Sequence, residues 1–405
     1  MKRIGALLLV AAIGVTACSA RRARPDRMSG PASYESPSGI AGPAGPGLYR
    51  LSQAEVSPEE NVTSALDDPT AKGLPKPLVD PKRIIDGGPP PDGIPALAEA
   101  TFARANAIDW LIPEEPVLSL TLNGETRAYP VQILIFHEIV NDTVGGVPVA
   151  VTYCPLCNSA IAYDRRVAGR VVTFGTSGKL LYSNLVMYDR QTRSLWPQLA
   201  GQAVAGVLTG VRLTAYPVQT VAWQDWLADN PRAWVLSNQT GYDRDYGLNP
   251  YSGYDKANSQ PFDLDGPADP GLPPKTRVVA FPGPEPIAIT LDALTARHVI
   301  PLHIADRDVV AWALPGLRSA LDTPYLEAGR TIAASGAFDP HWHGQLLHFT
   351  AQGTQFVDAE TGSHWTVLGR AVAGPARGAR LQPILYFDTF WFAWAAYQPH
   401  TRIVR

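Results

Sequence analysis

Only three cysteines and three methionines occur in 405 residues. Three cysteines cannot form the paired framework that staples small secreted folds. Charge is also scarce, at 18% of residues with a net of −3. With no basic run in the body, nucleic acid is excluded as a partner. Past the first 17 residues no apolar run approaches the ~18 residues that a membrane-spanning helix needs. What is abundant is turn chemistry, with 38 prolines and 35 glycines, and aromatic bulk, with ten tryptophans. That mixture argues against a helical bundle. A hydrophobic fraction of 45% is enough to bury a sizeable core.

The N-terminus reads as a targeting signal. Lys2 and Arg3 precede an apolar stretch from Ile4 to Ile13, and Val15-Thr16-Ala17-Cys18 follows. Small residues before a cysteine resemble a bacterial lipobox, so residues 1–17 are expected to be a signal peptide and Cys18 the lipidated N-terminus. Several acyl chains on Cys18 would anchor the protein stably. The expected location is the cell envelope, at the outer membrane where there is one, because no Asp follows Cys18. Residues 18–93 are rich in Pro and Gly and read as a disordered tether.

The folded body repeats itself. Asp189-Arg190-Gln191-Thr192-Arg193-Ser194-Leu195-Trp196 returns as Asp358-Ala359-Glu360-Thr361-Gly362-Ser363-His364-Trp365. Beyond it Gly201, Gly206, Trp223 and Trp226 meet Gly369, Gly374, Trp391 and Trp394. We read a mainly β (α+β) protein of two β-rich pseudo-repeated halves with a few short helices. Residues 94–257 form the first copy, 258–274 a linker and 275–405 the second. Residues 131–140, 220–229 and 389–398 read as helices, and residues 147–153, 159–165, 171–174 and 180–188 as strands.

Duplication supplies an internal control. Residues shared by both copies serve the scaffold, which assigns the Asp-x-x-Thr-x-Ser-x-Trp motif to structure. Residues found in one copy are better functional candidates. Copy one carries Tyr153-Cys154-Pro155-Leu156-Cys157 where copy two has Ala313-Leu314-Pro315-Gly316-Leu317, so the shared proline reads as the same scaffold turn in both copies and the two thiols as an addition in one. His137 likewise meets Arg297, and Met187 meets Phe356. Several copy-one segments carry a resemblance: Phe136-His137-Glu138-Ile139-Val140-Asn141-Asp142, Thr152-Tyr153-Cys154-Pro155-Leu156-Cys157, Phe174-Gly175-Thr176-Ser177-Gly178 and Met187-Tyr188-Asp189-Arg190. With the Asp358–Trp365 segment, this string is similar to the bacterial domain of unknown function 3179 family, over roughly residues 93–405. The resemblance implies an exported or lipid-anchored bacterial protein and brings no reaction with it.

Three chemistries fit Cys154 and Cys157. In a metal site the two thiolates would be completed by His137 and Met187. Such soft donors suit copper, or zinc without the thioether. In a thiol–disulfide couple Cys-x-x-Cys is the redox spacing, although no helix follows to lower a thiol pKa. In a structural role the pair is packed or clipped, and the protein is a binding or scaffold module. Whether it is an enzyme, and which protein or small molecule it meets, stays open at this level. His137-Glu138-Ile139-Val140-Asn141 lacks the second histidine of a zincin. Gly175–Gly178 lacks the spacing of a nucleophile elbow, so Ser177 reads as a turn residue. His341, His343 and His348 follow a turn signal and read as an exposed loop. Lys179, Tyr182 and Asn184 are candidates to line a pocket beside the cysteines.

Overall fold

A computed structural model describes residues 56–405. The expected signal peptide, the expected lipidation site Cys18 and the first part of the expected tether lie outside the described residues. The fold is mainly β, and among the described residues strands far outnumber the α-helices, of which four run seven residues each.

The two halves share one element order. In the first, Gln219–Ala222, Pro116–Leu122, Glu125–Pro130 and Trp234–Leu236 lie side by side; in the second, Phe387–Phe390, Arg277–Phe281, Ile287–Thr290 and Arg402–Val404 do the same. The last strand of each set pairs parallel to its neighbour and the others antiparallel. A second sheet orders Ser159–Asp164, Val147–Cys154 and Ile139–Val144, matched by Thr331–Asp339, Arg307–Arg318 and Val299–Ile304. Helix Val131–His137 corresponds to Leu291–Arg297, and Trp223–Asp229 to Trp391–Tyr397.

The repeated motif makes the same bonds twice. Asp189 accepts from the Thr192 amide (2.6 Å), the Thr192 hydroxyl (2.7 Å) and the Trp196 indole (2.9 Å). Asp358 accepts from the Thr361 amide (2.6 Å), the Thr361 hydroxyl (2.9 Å) and the Trp365 indole (2.8 Å). A buried carboxylate is tolerated because both of its oxygens have donors. Gly206 and Gly374, at φ +110° and +83°, sit where a Cβ would meet Ser194 or Ser363 at 2.5–2.6 Å.

The halves exchange their closing elements. Trp223 and Trp226, stacked at 5.6 Å, belong to the core that holds Trp312 and Trp365 of the second half. Trp391 and Trp394 belong to the core that holds Cys154, Cys157 and Trp196 of the first. Burying large aromatics across the seam binds the halves into one body.

Four expectations need correction. Residues 56–93 are not free tether. Ile84–Asp86 pairs with Phe174–Leu181, Ala65 is fully buried against Leu181 and Val186, and Asp92 bonds the Arg190 guanidinium at 2.7 Å. The expected helix over 131–140 ends at His137. Glu138 takes a left-handed conformation (φ 57°), donates its N–H to Leu134 O at 2.7 Å, and the chain turns into strand Ile139–Val144. The expected single strand over 180–188 is a hairpin, Phe174–Leu181 then Asn184–Asp189, turning at Tyr182 and Ser183 with φ 55° and 61°. No glycine or asparagine marks that turn, so it was illegible. Finally, copy two does not turn at Pro315. Arg307–Arg318 runs on through a bulge and reverses only after Leu326–Ala328.

Candidate functional site

The cysteines sit at the end of the hairpin formed by Val147–Cys154 and Ser159–Asp164. Cys154 pairs with Ser159, the Cys157 N–H returns to Cys154 O at 3.2 Å, and Pro155 occupies the second turn position, where its fixed φ is favourable. Both sulfurs face the start of strand Asn184–Asp189. The Leu185 N–H donates to Cys154 Sγ (3.4 Å), the Asn184 amide donates to Cys157 Sγ (3.3 Å), and Cys157 Sγ lies 3.5 Å from Ser183 O. Both cysteines are buried and neither is in a disulfide.

The reach of that second hairpin is peculiar to copy one. Residues 180–185 lie between the paired Lys179 and Val186, whereas only residues 353–354 separate the paired Gln352 and Gln355. Ser183, Asn184 and Leu185, which contact the sulfurs, therefore have no counterpart in copy two. Asn184 is held by the Leu199 N–H (2.9 Å) and by Gln198 (3.1 Å), and Gln198 in turn by Ser159 (2.9 Å). The second half closes the site: the Phe390 N–H and the Thr389 hydroxyl both donate to Cys157 O at 2.9 Å.

The environment separates the two thiols. Burial alone would raise Cys154, but the bond to Cys157, the Leu185 N–H and Asn184 outweigh it and hold this thiol below its usual range. Burial pushes Cys157 well up, and its bond to Cys154 adds to that. Amide donors set beside a sulfur do what a helix N-terminus does elsewhere. Glu138, buried behind Cys154, is pushed well above the carboxylate range by burial and then by the Cys154 charge. Tyr251, from the segment between the halves, is raised by burial and feels the charges of both Glu138 and Cys154.

The expected ligands do not converge in the same way. His137 Nδ1 lies 2.7 Å from Pro95 O and Nε2 2.6 Å from the Tyr246 hydroxyl. A carbonyl only accepts, so Nδ1 carries the proton and Nε2 accepts from Tyr246. Burial lowers the imidazole to about 4, so it is neutral and engaged at both nitrogens. Met187 is fully buried, paired with Thr176 and Trp196; its counterpart Phe356 stacks on Trp312 at 4.3 Å, a volume-filling position. Among the described residues no group of three His, Cys, Asp or Glu side chains is arranged to hold a metal ion. His341 and His348 are exposed and bond Asp339 and Glu360, each at 2.7 Å. Of the other candidates, Asn184 reaches the sulfurs, Tyr182 packs on Tyr397 and Ser177 bonds within its own hairpin.

Glu138, Tyr251 and Tyr254 were missed from sequence. The signal was present in four tyrosines, at 242, 246, 251 and 254, inside an otherwise polar stretch. No helix among the described residues is long and apolar enough to cross a membrane. Comparison with curated proteins and with solved structures found no match. The cysteine turn, the sulfur-facing hairpin and both Asp-x-x-Thr-x-Ser-x-Trp motifs all fall within residues 91–401, which match the model of a family described as protein of unknown function, DUF3179, and the chain belongs to that family.

Proposed function

We propose that Cys154 and Cys157 form a thiol–disulfide couple in an exported, lipid-anchored envelope protein. The geometry that carries this reading is a pair of buried, unlinked cysteines on one Cys-x-x-Cys turn, with the Leu185 N–H donating to Cys154 Sγ at 3.4 Å and the Asn184 amide donating to Cys157 Sγ at 3.3 Å. Amide donors lower Cys154, and burial raises Cys157. That is the division of labour between an attacking and a resolving sulfur. The Cys154 thiolate attacks an external disulfide and releases one thiolate of it. Cys157 then attacks the mixed disulfide, loses its proton and releases the second. The balance is one disulfide formed, one reduced to two thiols, and two electrons passed outward. The thiolate released in the first step takes that proton, and Glu138, held protonated beside Cys154, can give a proton to Cys154 when the couple is reduced again. The turn offers an approach at Leu156 and Asn158, which are half-exposed. Outside the cytoplasm such a pair would meet an oxidising poise.

The test is equilibration of the purified protein in thiol buffers across about −120 to −320 mV, followed by alkylation in denaturant and mass measurement. A single two-electron transition is expected, absent from Cys154→Ser and Cys157→Ser. Thiols that never oxidise across that range refute the couple. Stoichiometric copper or zinc in the protein as isolated would move the site to the metal reading. Cys18→Ser should release the protein from membranes if the lipid anchor is real.

A further inference from the structure

A cleft of about 540 Å³ opens on the second half, where the segment between the halves meets Arg277–Phe281 and helix Leu291–Arg297. It falls within the size range of small-molecule sites. Four cationic side chains line it, Lys256, Lys275, Arg277 and Arg330, against two carboxylates, Asp255 and Asp292. Asp255 is already committed: its carboxylate takes Arg277 at 3.1 Å, Arg330 at 2.7 Å and the Ser319 hydroxyl. Among the described residues neither lysine has a carboxylate within ion-pair distance. Lys275 is held over the Tyr254 ring at 3.2 Å and donates to Tyr254 O at 2.8 Å, so its ammonium is positioned without being neutralised. Burial lowers it to about 8 while Asp255 opposes, which leaves it largely charged at neutral pH. Leu291, Pro315 and Ile332 form an apolar wall.

The first half shows what the same place looks like when it is closed. The Trp223 N–H donates to Glu115 O and the Trp391 N–H to Thr276 O, both at 2.8 Å, so Glu115 and Thr276 are equivalent. Glu115 is buried and hydrogen-bonded to Gln132, the counterpart of Asp292, and that pair fills the position. In the second half the shorter Thr276 faces Asp292 across open space. The fold does not require the cleft, and the charges that line it are an addition.

We propose that this cleft binds a small oxyanion-bearing molecule, a carboxylate or phosphate with an apolar end, its charge held by Lys256, Lys275 and Arg330 and its body against Leu291 and Ile332. The site is independent of the thiol reading. With Asp322, which pairs with Arg330 at 3.2 Å, counted beside Asp255 and Asp292, an excess of one positive charge remains, and in a half-enclosed, partly apolar space it favours an anion over a neutral or cationic ligand.

Titration calorimetry of the full chain at fixed ionic strength, with inorganic phosphate, succinate and hexanoate in separate arms, tests this. Saturable binding of one molecule per chain in at least one arm is expected. The best-bound probe separates phosphate from carboxylate and shows whether the apolar wall contributes. Lys256→Gln, at an exposed position, should fold normally and weaken that probe about tenfold, the loss of one charge-assisted hydrogen bond. Lys275→Met should weaken it further. No saturable binding in any arm at millimolar concentration, or equal binding by wild type and Lys256→Gln, overturns the proposal.

Discussion

Replacing Glu138 by Gln isolates the most unusual ionisation at the cysteine site. The carboxyl is buried, no cation is paired with it, and burial followed by the Cys154 charge holds its folded pKa well above the ordinary value. In the unfolded chain it titrates near ~4.3. Below that pH both states are protonated and the group contributes no pH dependence. Above it the unfolded state loses the proton and the folded state does not, so wild-type stability falls by about 1.4 kcal/mol per pH unit until the folded pKa is reached. At pH 7 the accumulated cost is about 4 kcal/mol if the buried acid is still neutral there. Gln has the same shape and no proton to lose. Urea unfolding of wild type and Glu138→Gln from pH 4 to 8 should therefore show a stability difference that widens with pH in favour of the variant. Taking the difference cancels the other raised groups, Glu115 at about 7 and Asp388 at about 6. A flat difference would mean that Glu138 ionises freely, and it could not then serve as a proton reservoir for Cys154.

Other expectations are more local. Asp189→Ala and Asp358→Ala should each cost about 3 kcal/mol or more in urea unfolding, because each leaves an indole, a hydroxyl and an amide without an acceptor. Unequal losses would mean that the motifs are not equivalent scaffold. Gly206→Ala and Gly374→Ala should also destabilise as a pair, since a positive φ combines with a Cβ contact under 3 Å at both sites. A chain beginning at Ile94 should melt well below one beginning at Val56, because it loses the strand Ile84–Asp86 and the Asp92–Arg190 pair; equal melting would restore the tether reading. Asn184→Leu should raise the titration of the cysteine pair, read from the pH dependence of alkylation, since it removes the donor on Cys157 Sγ and one of the groups that lower Cys154; an unchanged alkylation profile would mean that the carboxamide does not act on the sulfurs.

The duplication was legible because tryptophan and glycine are rare enough for their register to be informative, and the turn at Cys154–Cys157 because proline specifies it. Turns without turn residues were not legible. Tyr182-Ser183 reverses the chain in left-handed conformations that neither residue favours, held by the pairing of Leu181 with Asn184 and by packing of Tyr182 on Tyr397. The prolines of residues 56–93 signal extended backbone equally well whether or not it is packed; only the buried Ala65 and the Asp92 carboxylate show that it is. His137 was read as a ligand because it shortly precedes the cysteine turn in sequence, but helix Val131–His137 presents it to Pro95 and Tyr246. The site itself is assembled from segments near residues 138, 154, 184, 251 and 389, and no local pattern joins them.

Copy two turns that assembly into a comparison of energies. At the matching strand positions Tyr153 and Cys154 give way to Ala313 and Leu314, the Cys157 turn is replaced by a continuing strand, and the fold still closes. Burying a carboxyl beside a thiol, with an amide and a second carboxamide behind them, costs free energy that an apolar filling would not. Stability alone therefore gives no reason for Glu138, Asn184 and Gln198 to surround the sulfurs. Their hydrogen bonds do more than satisfy one another: two of the donors, the Leu185 amide and the Asn184 carboxamide, end on sulfur. A donor aimed at a thiol gains most when that thiol carries charge. With one donor on each sulfur, the network suits the thiolate that the proposed couple requires, a state that a merely packed cysteine pair never needs to visit.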